Sequence, residues 1–301
     1  MALVPPIIHE IQARSALNAV EGMPFKWSLN PYKGCRHACS YCYARAYHQF
    51  LDLAPSSFEN QLFVKTNVAE VLRAELRRPS WRGESVAIGT ATDPYQPLES
   101  QYRLTRGCLE AFAEVDNPIS ITTKGTLVRR DVDVLADMAS RTEVVVNVSL
   151  ISLDAELLRK LEPGAPAPAR RLETIERLSA AGVPVSVFLA PILPGITDDP
   201  TALKNLVRAA AEHGASDAWT GALRLADGVR DHFMQFLEEE LPGMVPVYSE
   251  LYGGRAYLPT GFQIRLEAEV GAARRAAHMT DSIPPLVAAA HSRRGQLNLP
   301  I

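Results

Sequence analysis

Short apolar runs alternate with longer amphipathic stretches along most of this chain of 301 residues. The apolar runs are rich in β-branched residues and end at Gly, Pro or Asn, which is typical of buried strands. The amphipathic stretches repeat apolar residues at helical spacing, which is typical of helices with one buried face. The predicted strands span residues 27–32, 63–66, 85–89, 119–123, 144–150, 185–190 and 218–225, and the predicted helices span residues 44–51, 68–78, 106–115, 131–140, 154–161, 170–181, 200–214 and 228–240.

Alternating strands and helices with short connections predict parallel βαβ units, and thus an α/β fold. The five or six units that the pattern contains are too few for a closed barrel of about eight strands. We divide the chain into an N-terminal lead-in (1–24), a core (25–243) and a C-terminal extension (244–301). Within the lead-in we expect a helical turn at 15–20. The end of the extension, with Pro284-Pro285 and the segment 291–295, is expected to be loosely ordered.

The overall composition is that of an ordinary globular protein, with 47% hydrophobic and 22% charged residues. The net charge of −3 provides no general attraction to nucleic acid, although it leaves room for a local basic groove. The first residues lack the basic and apolar regions of a signal peptide, and no apolar run has the length of a membrane span. We therefore expect a cytoplasmic protein without a membrane segment, in a compartment that keeps its few thiols reduced.

Three cysteines, Cys35, Cys39 and Cys42, form a Cys-x3-Cys-x2-Cys motif directly after the first strand of the core, and the only other cysteine is Cys108. Iron–sulfur clusters are held by cysteine thiolates, normally one per iron. Three ligands would leave one iron of a four-iron cluster open, and an open position distinguishes catalytic metal sites from structural ones. The spacing differs from that of ferredoxins and zinc ribbons. The alternative is a chance group of buried or zinc-bound thiols.

The loop from Gly34 to Tyr43, with an aromatic residue on each side of the third cysteine, resembles the cluster loop of the radical S-adenosylmethionine (SAM) enzymes. The resemblance covers residues 27–199 and is closest to the spore photoproduct lyase-like branch, often labelled DNA repair photolyase. The motifs that carry it after the cysteines are Thr92-Asp93, Thr123-Lys124, Asn147-Val148-Ser149, Glu162-Pro163-Gly164 and Ala190-Pro191-Ile192.

The resemblance implies an open partial (β/α)6 TIM-type barrel with a C-terminal extension. It also implies a 4Fe-4S cluster on the three cysteines, with SAM on the open iron and an external one-electron reductant of the flavodoxin or ferredoxin type. In that superfamily, cleavage of SAM produces a 5′-deoxyadenosyl radical that abstracts hydrogen from a substrate. The residues expected to bind SAM are Thr92, Asp93, Lys124, Asn147, Ser149 and Arg171, and the residues expected to be catalytic are Tyr41 and Tyr43.

Each of these assignments has a structural alternative. Asp93 precedes a proline and would suit a turn, and Lys124 would suit a solvated surface. Asn147 and Ser149 share one face of a strand, where backbone groups could satisfy them. Two arginines that open a helix oppose its dipole, so Arg171 is expected to have an anionic partner, either the SAM carboxylate or Glu162.

One departure from the lyase pattern concerns the donor cysteine. Ala91 stands where the lyase has the cysteine that gives hydrogen to the product radical, so thymine-dimer reversal by that route is not expected. Cys108 falls in a predicted helix and is expected to be a small buried residue.

Three functions remain open: repair or modification of nucleic acid, modification of a peptide or small metabolite, and electron transfer or sensing by a non-catalytic cluster. The last needs a fourth ligand, such as Cys108. His37 is expected either to tune the cluster or to face solvent. Arg224 and Arg230 have either a substrate or a surface role. The turn at 252–257 is expected to be a hairpin, or a clamp for a nucleic-acid strand.

Overall fold

The computed structural model describes residues 4–23 and 25–279. The expectations for 284–285 and 291–295 lie outside these residues. The strands are β1 (Ile7–Ile11), β2 (Leu17–Ala19), β3 (Trp27–Leu29), β4 (Tyr32–Lys33), β5 (Gln61–Lys65), β6 (Val86–Ile88), β7 (Ile119–Thr123), β8 (Val144–Ser149), β9 (Val185–Ile192) and β10 (Asp217–Ala222). The α-helices are α1 (Val68–Leu76), α2 (Glu99–Tyr102), α3 (Leu104–Ala113), α4 (Val132–Ala139), α5 (Ala155–Leu161), α6 (Pro168–Ala180), α7 (Pro200–Glu212), α8 (Arg230–Glu240), α9 (Val245–Tyr252) and α10 (Thr260–Ala276).

The main sheet has seven strands in the order β10-β9-β8-β7-β6-β3-β2. Six of these strands, β3, β6, β7, β8, β9 and β10, run parallel to one another and lie side by side in this order. Strand β2 is antiparallel to β3. A second sheet, β1-β5-β4, lies in the long connection between β3 and β6 and in the lead-in. In the described part of the chain β10 does not pair with β2, so the barrel is open, as the partial (β/α)6 fold predicts.

Side chains alternate between the two faces of the parallel sheet. One face is aliphatic and joins the helices in a single hydrophobic core, which explains the β-branched runs in the sequence. Its aligned row consists of Leu29, Ile88, Ile121, Val146 and Val185. The opposite face carries a row of polar residues, in which Thr122, Asn147, Ser186 and Asp217 align. This polar row marks the concave side of the barrel.

The lead-in is extended, so the predicted helical turn at 15–20 is wrong. Strand β1 pairs with β5 and β2 pairs with β3. The reason lies in α1, because the carboxylate of Glu75 accepts hydrogen bonds from Ser15 Oγ and from the amides of Ala16 and Leu17. The amides of this segment therefore have hydrogen-bond acceptors in an extended conformation and do not need the carbonyl groups that a helix would supply.

Two further elements differ from the sequence prediction. Residues Tyr43–Leu51 form a 3₁₀ helix, a tighter coil than the expected α-helix. Residues 252–257 are not a hairpin, because Tyr252 is the last residue of α9 and Gly253, whose φ of 49° is left-handed, caps that helix. Across residues 4–23 and 25–279, none of the helices combines the length and apolar content that a bilayer crossing requires.

Candidate functional site

The cysteine loop follows β3 and β4 at the carboxyl ends of the parallel strands, where reactive groups gather in barrels of this kind. Cys35 and Cys39 are buried, Cys42 is half-buried, and all three are free thiols. Within the described residues no three Cys, His, Asp or Glu side chains form a site for a single ion. Three thiols on one loop are a donor set that fits a four-iron cluster, with one thiolate for each of three irons and the fourth iron open.

Burial strongly affects the thiols of this loop. Burial raises the pKa of Cys35 to about 12, and the nearby Asp93 carboxylate adds to the rise. Burial also raises the pKa of Cys39 well above its usual value. The thiolate forms are therefore favourable here only beside compensating positive charge, which iron ions provide.

Side chains of the loop between β6 and α2 form hydrogen bonds with the backbone of the cysteine loop. The Thr92 hydroxyl donates to the carbonyl of Gly34 at 2.6 Å, and Gln96 Nε2 donates to the same carbonyl at 3.0 Å. The amide of Arg36 donates to Gln96 Oε1 at 3.1 Å. The conformation of Gly34, with φ of 76°, excludes larger residues, since a Cβ would lie 2.7 Å from two backbone oxygens. Gln96, which sequence reasoning missed, is therefore part of the support of the loop.

The end of α5 and the Glu-Pro-Gly segment after it form a second set of hydrogen bonds with the cysteine loop. The amide of Ser40 donates to Leu161 O at 2.9 Å, and the amide of Gly164 donates to His37 O at 3.1 Å. A Cβ at Gly164 would overlap the carbonyl oxygen of Arg36. The glycine of this motif thus permits a close backbone approach between two segments far apart in sequence.

We expect Gly164→Ala to lower the free energy of unfolding by about 1–3 kcal/mol, because the added methyl group must push the cysteine loop away. Reconstituted iron per chain should fall with it. The matched control is Gly243→Ala, where a Cβ meets no atom within 4 Å. Urea unfolding and iron analysis of both variants measure the effect, and equal behaviour of the two would contradict the proposed contact.

Arg45 supports the loop from the other side and was also missed from sequence. It is 1% exposed, and its Nε donates to the carbonyl of Cys39 at 3.0 Å. Its Nη1 donates to Glu59 Oε2 at 2.6 Å. An arginine on a short helix is usually read as a surface residue. Only its position three residues after the last cysteine of the motif could have drawn attention to it.

Asp93 joins three segments of the site. Oδ1 accepts from the amide of Tyr95 at 2.8 Å and from the Thr123 hydroxyl at 2.6 Å. Oδ2 accepts from the amide of Lys124 at 2.7 Å and lies 3.2 Å from Nδ1 of His37. Burial would raise the pKa of Asp93, but His37 and these hydrogen bonds outweigh burial and lower it to about 2. His37 is 3% exposed, so it faces Asp93 and not solvent.

A buried charged network lies beside Cys39. The Tyr41 hydroxyl donates to Glu162 Oε1, and Arg171 Nη2 donates to Glu162 Oε2. The anionic partner of Arg171 in this structure is thus Glu162. The other donors of Arg171 reach Pro166 O at 2.8 Å and Ser149 O at 3.0 Å.

Lys124 is the third charged residue of this network and lies near both Glu162 and Tyr41. Its Nζ lies 3.9 Å from Glu162 Oε1 and 5.8 Å from the centre of the Tyr41 ring. Burial disfavours the ammonium, but the adjacent Cys39 and Glu162 side chains outweigh burial and raise the pKa of Lys124. Lys124 therefore stays positively charged close to the cysteine loop.

Asn147 and Ser149 lie on the polar face, opposite the core residues Val146 and Val148. Asn147 Oδ1 accepts a hydrogen bond from the Ser186 hydroxyl. The hydroxyl of Ser149 is buried and has no partner among the described residues, and the same holds for Ser40 in the cysteine loop. Buried polar atoms are nearly always satisfied, so these two hydroxyls fit a site that receives a polar ligand.

A cavity of about 340 Å³ opens beside the cysteine loop. Tyr43 lies on its wall and is 42% exposed, and its hydroxyl donates a hydrogen bond to Thr90 O. Asn30 holds the neighbouring loop, since its Oδ1 accepts from the amide of Ala91 at 2.9 Å. The remaining wall is formed by aromatic side chains, lysines and the lead-in, including Phe25, Lys33, Tyr47, Phe50 and Lys65.

Cys108 is fully buried in α3, as predicted for a small apolar residue. Burial, with a contribution from Glu99, raises the pKa of its thiol above the usual range. Its charged neighbours are Glu99, Lys65 and Arg73, none of which belongs to the cysteine loop.

Comparison with known proteins identifies relatives along most of the chain. A family model described as the radical SAM superfamily matches residues 29–207. An uncharacterized protein of Mycobacterium tuberculosis strain H37Rv is 45% identical over 266 residues, which cover 87% of this chain and 78% of the relative. A Radical SAM Nalpha-GlyT isomerase of Pseudomonas phage M6 is 26% identical over 167 residues, which cover 55% of this chain and 33% of the relative.

Among solved structures, spore photoproduct lyase complexed with dinucleoside spore photoproduct matches with a TM-score of 0.67 at 14% identity. The match covers 89% of this chain and 79% of the lyase chain. A mutant of the same lyase, with bound AdoMet and the dinucleoside, matches with a TM-score of 0.60, also at 14% identity, and covers 77% of this chain and 66% of that one. At this level of identity the match describes the fold.

Proposed function

Because this chain belongs to the radical SAM superfamily, we propose that it is a radical SAM enzyme that acts on a nucleic-acid substrate at the mouth of its open barrel. The observation that carries the proposal is the buried three-cysteine loop, held by two neighbouring segments at the carboxyl ends of the strands. When bound there, a 4Fe-4S cluster with SAM supplies a 5′-deoxyadenosyl radical that abstracts hydrogen from the substrate. An external reductant of the flavodoxin or ferredoxin type would provide the electron in the cytoplasm.

The residues of the polar face would then bind and orient SAM. Cys35, Cys39 and Cys42 would hold the cluster. The charged Lys124 would meet the SAM carboxylate, and the unpartnered hydroxyl of Ser149, with Asn147 beside it, would meet polar groups of SAM.

Three of the predicted SAM residues have their side chains engaged within the protein. Thr92 and Asp93 bond to the backbone of the loops around the site, and Arg171 bonds to Glu162 and two carbonyls. We propose that these residues act by positioning: Thr92 and Asp93 hold the cysteine loop and the β7 loop, and Arg171 holds Glu162. Small residues of the β6 loop would leave its backbone accessible to SAM.

The two tyrosines that flank Cys42 would have different roles. Tyr41 is 3% exposed and its hydroxyl is bound to Glu162, so it would stabilise the carboxylate and keep water out. Tyr43 lines the cavity, so it would contact the substrate. Ala91 stands at the lyase donor position, but Tyr43 and Tyr47 both bring a phenolic hydrogen to the cavity, and Tyr43 is the one directly beside the cysteine motif.

The cavity favours nucleic acid over an aliphatic metabolite. Tyr43, Tyr47 and Phe50 form a continuous aromatic wall, and such walls stack bases. Lys33 and Lys65 lie at the same cavity, and lysines pair with phosphate as point charges. Burial lowers the pKa of Lys65 to about 8, so at neutral pH most of it still carries its charge. The lyase structures similar in fold contain a dinucleoside.

The proposal is tested by anaerobic reconstitution, addition of SAM and dithionite, and mass spectrometry of 5′-deoxyadenosine. We expect the wild-type enzyme to form 5′-deoxyadenosine and to form it faster with single-stranded oligonucleotides than with a peptide mixture of equal mass. Deuterium transfer from a labelled oligonucleotide into 5′-deoxyadenosine would identify the substrate class. A stable cluster without SAM cleavage would reject the enzyme, and acceleration by peptides alone would favour peptide modification.

A further inference from the structure

Arg224 lies at the carboxyl end of the last barrel strand, two residues after β10. Its backbone is fixed on both sides. The carbonyl of Leu223 accepts a hydrogen bond from the Tyr252 hydroxyl at 2.7 Å. The amide of Leu225 donates a hydrogen bond to Ala256 O at 2.9 Å. The end of α9 and the segment after it therefore hold residue 224 in one place, although they contribute no residue to the SAM pocket described above.

The guanidinium of Arg224 has a stacking partner but no acceptor. Its Cζ lies 5.1 Å from the centre of the Tyr257 ring. Its Nε is buried without a hydrogen bond, and no ion pair or side-chain hydrogen bond involves it within residues 4–23 and 25–279. Nearby Arg230, in contrast, donates to Leu225 O at 3.0 Å and to Arg255 O at 2.5 Å. A fixed, unpaired cation with a buried donor is costly to maintain, so a ligand that accepts its hydrogen bonds would explain it.

The loop that carries Arg224 packs against the 3₁₀ helix that follows the cysteines. A Cβ at Gly228 would lie 3.1 Å from Nε2 of Gln49, which places the loop on the helix that carries Tyr43 and Tyr47. The loop of Arg224 thus lies beside the element that carries the aromatic wall of the cavity.

We propose that Arg224 binds an anionic oxygen group of the substrate, a phosphate or a carboxylate, while the planar part of the substrate lies on the wall formed by Tyr43, Tyr47 and Phe50. The rings of Tyr47 and Phe50 are inclined by 27° and face a similar direction, whereas Tyr43 stands at 89° to Tyr47. A flat substrate ring would therefore stack on the first two and meet Tyr43 edge to face. A planar guanidinium matches two oxygens of one anion, and Tyr257 keeps it oriented. The inference rests on the proposed function, because the ligand of this subsite is the substrate of that reaction.

The test measures binding to the anaerobic, reconstituted holoenzyme by titration calorimetry. The probes are thymidine 5′-monophosphate, the uncharged thymidine, and benzoate, which separates a carboxylate preference from a phosphate preference. We expect the wild type to prefer at least one anion over thymidine, and Arg224→Gln to lose about ten- to a hundredfold in affinity for that anion, the usual range for a hydrogen bond to a charged group. Arg224→Lys should retain part of the preference, since lysine keeps the positive charge but lacks the planar pair of N–H donors that a guanidinium offers to two oxygens.

The matched control is Arg208→Gln, an exposed arginine on α7 that forms only a loose pair with Glu212 at 3.9 Å and a hydrogen bond to Asn205. It should bind all three probes as the wild type does. An unchanged anion preference in Arg224→Gln overturns the inference, and so does an equal loss for thymidine, which would indicate general damage to the wall. Wild-type protein that makes no 5′-deoxyadenosine but shows the Arg224-dependent preference would reject the proposed reaction and leave the subsite intact.

Discussion

Replacing Cys39 with alanine is expected to abolish cluster assembly and the formation of 5′-deoxyadenosine. The described residues offer no fourth cysteine in this loop, so the remaining two thiols would have to hold the cluster alone. Substitutions in the outer shell of metal sites already cost about 10–100-fold in affinity or activity, so loss of a ligand should exceed that range. Iron and sulfide analysis, the visible absorption of the reconstituted protein and the 5′-deoxyadenosine assay measure the effect.

Cys108→Ala is the matched control, because it removes a cysteine of the same chain that is buried in α3. We expect full cluster content and unchanged cleavage of SAM. Loss of the cluster in Cys108→Ala would make this residue a fourth ligand, and would then favour an electron-transfer or sensor protein over an enzyme. SAM cleavage that survives in Cys39→Ala would contradict the assignment of the loop itself.

Glu162→Ala is expected to have the second largest effect, a loss of about 3–5 kcal/mol in the free energy of unfolding, because it leaves a buried charge unpaired. Burial would raise the pKa of Glu162, but Arg171 and Lys124 outweigh burial and lower it, so the carboxylate is charged at neutral pH. Removal of the carboxylate leaves Arg171, which is 1% exposed, without its ion-pair partner. It also leaves the Tyr41 hydroxyl beside Cys39 without its acceptor. Urea unfolding of the reduced apoprotein measures the loss.

The control for this prediction is Glu156→Ala, which breaks another pair of Glu and Arg on α5. Glu156 and Arg159 are 74% and 68% exposed, so the expected loss is only about 0–0.5 kcal/mol. Glu162→Gln should fall between the two, since it keeps the shape but not the charge. Similar losses in Glu156→Ala and Glu162→Ala would show that the buried network does not stabilise the site.

The sequence was sufficient for the features that depend on local pattern. The alternation of apolar and amphipathic segments predicted the six parallel strands, because a strand covered on both faces needs a continuous apolar run. The resemblance of the loop from Gly34 to Tyr43 to the radical SAM cluster loop indicated the family, which the superfamily match confirms, and the lyase-like fold is confirmed by the similarity to the lyase structures.

The support of the site was not predictable in the same way, because it consists of hydrogen bonds between residues far apart in sequence. Gln96 reaches a carbonyl 62 positions earlier in the chain, and Glu75 satisfies amides 58 and 59 positions earlier. Neither residue carries a local signal. For Asp93 the sequence singled out the residue, but only the structure shows that both of its oxygens are occupied by donors of this protein.

An open barrel leaves two strand edges, and unpaired edges are templates for aggregation. Here the segments outside the repeating units protect both. At one end the sheet continues into β2, an edge strand of only three residues, which offers little length for another chain to pair with. At the other end α10 packs on β10, and Gln263 accepts a hydrogen bond from the amide of Ala222 at 3.1 Å. The lead-in and the extension thus cover the two edges of the sheet while the mouth of the barrel stays open.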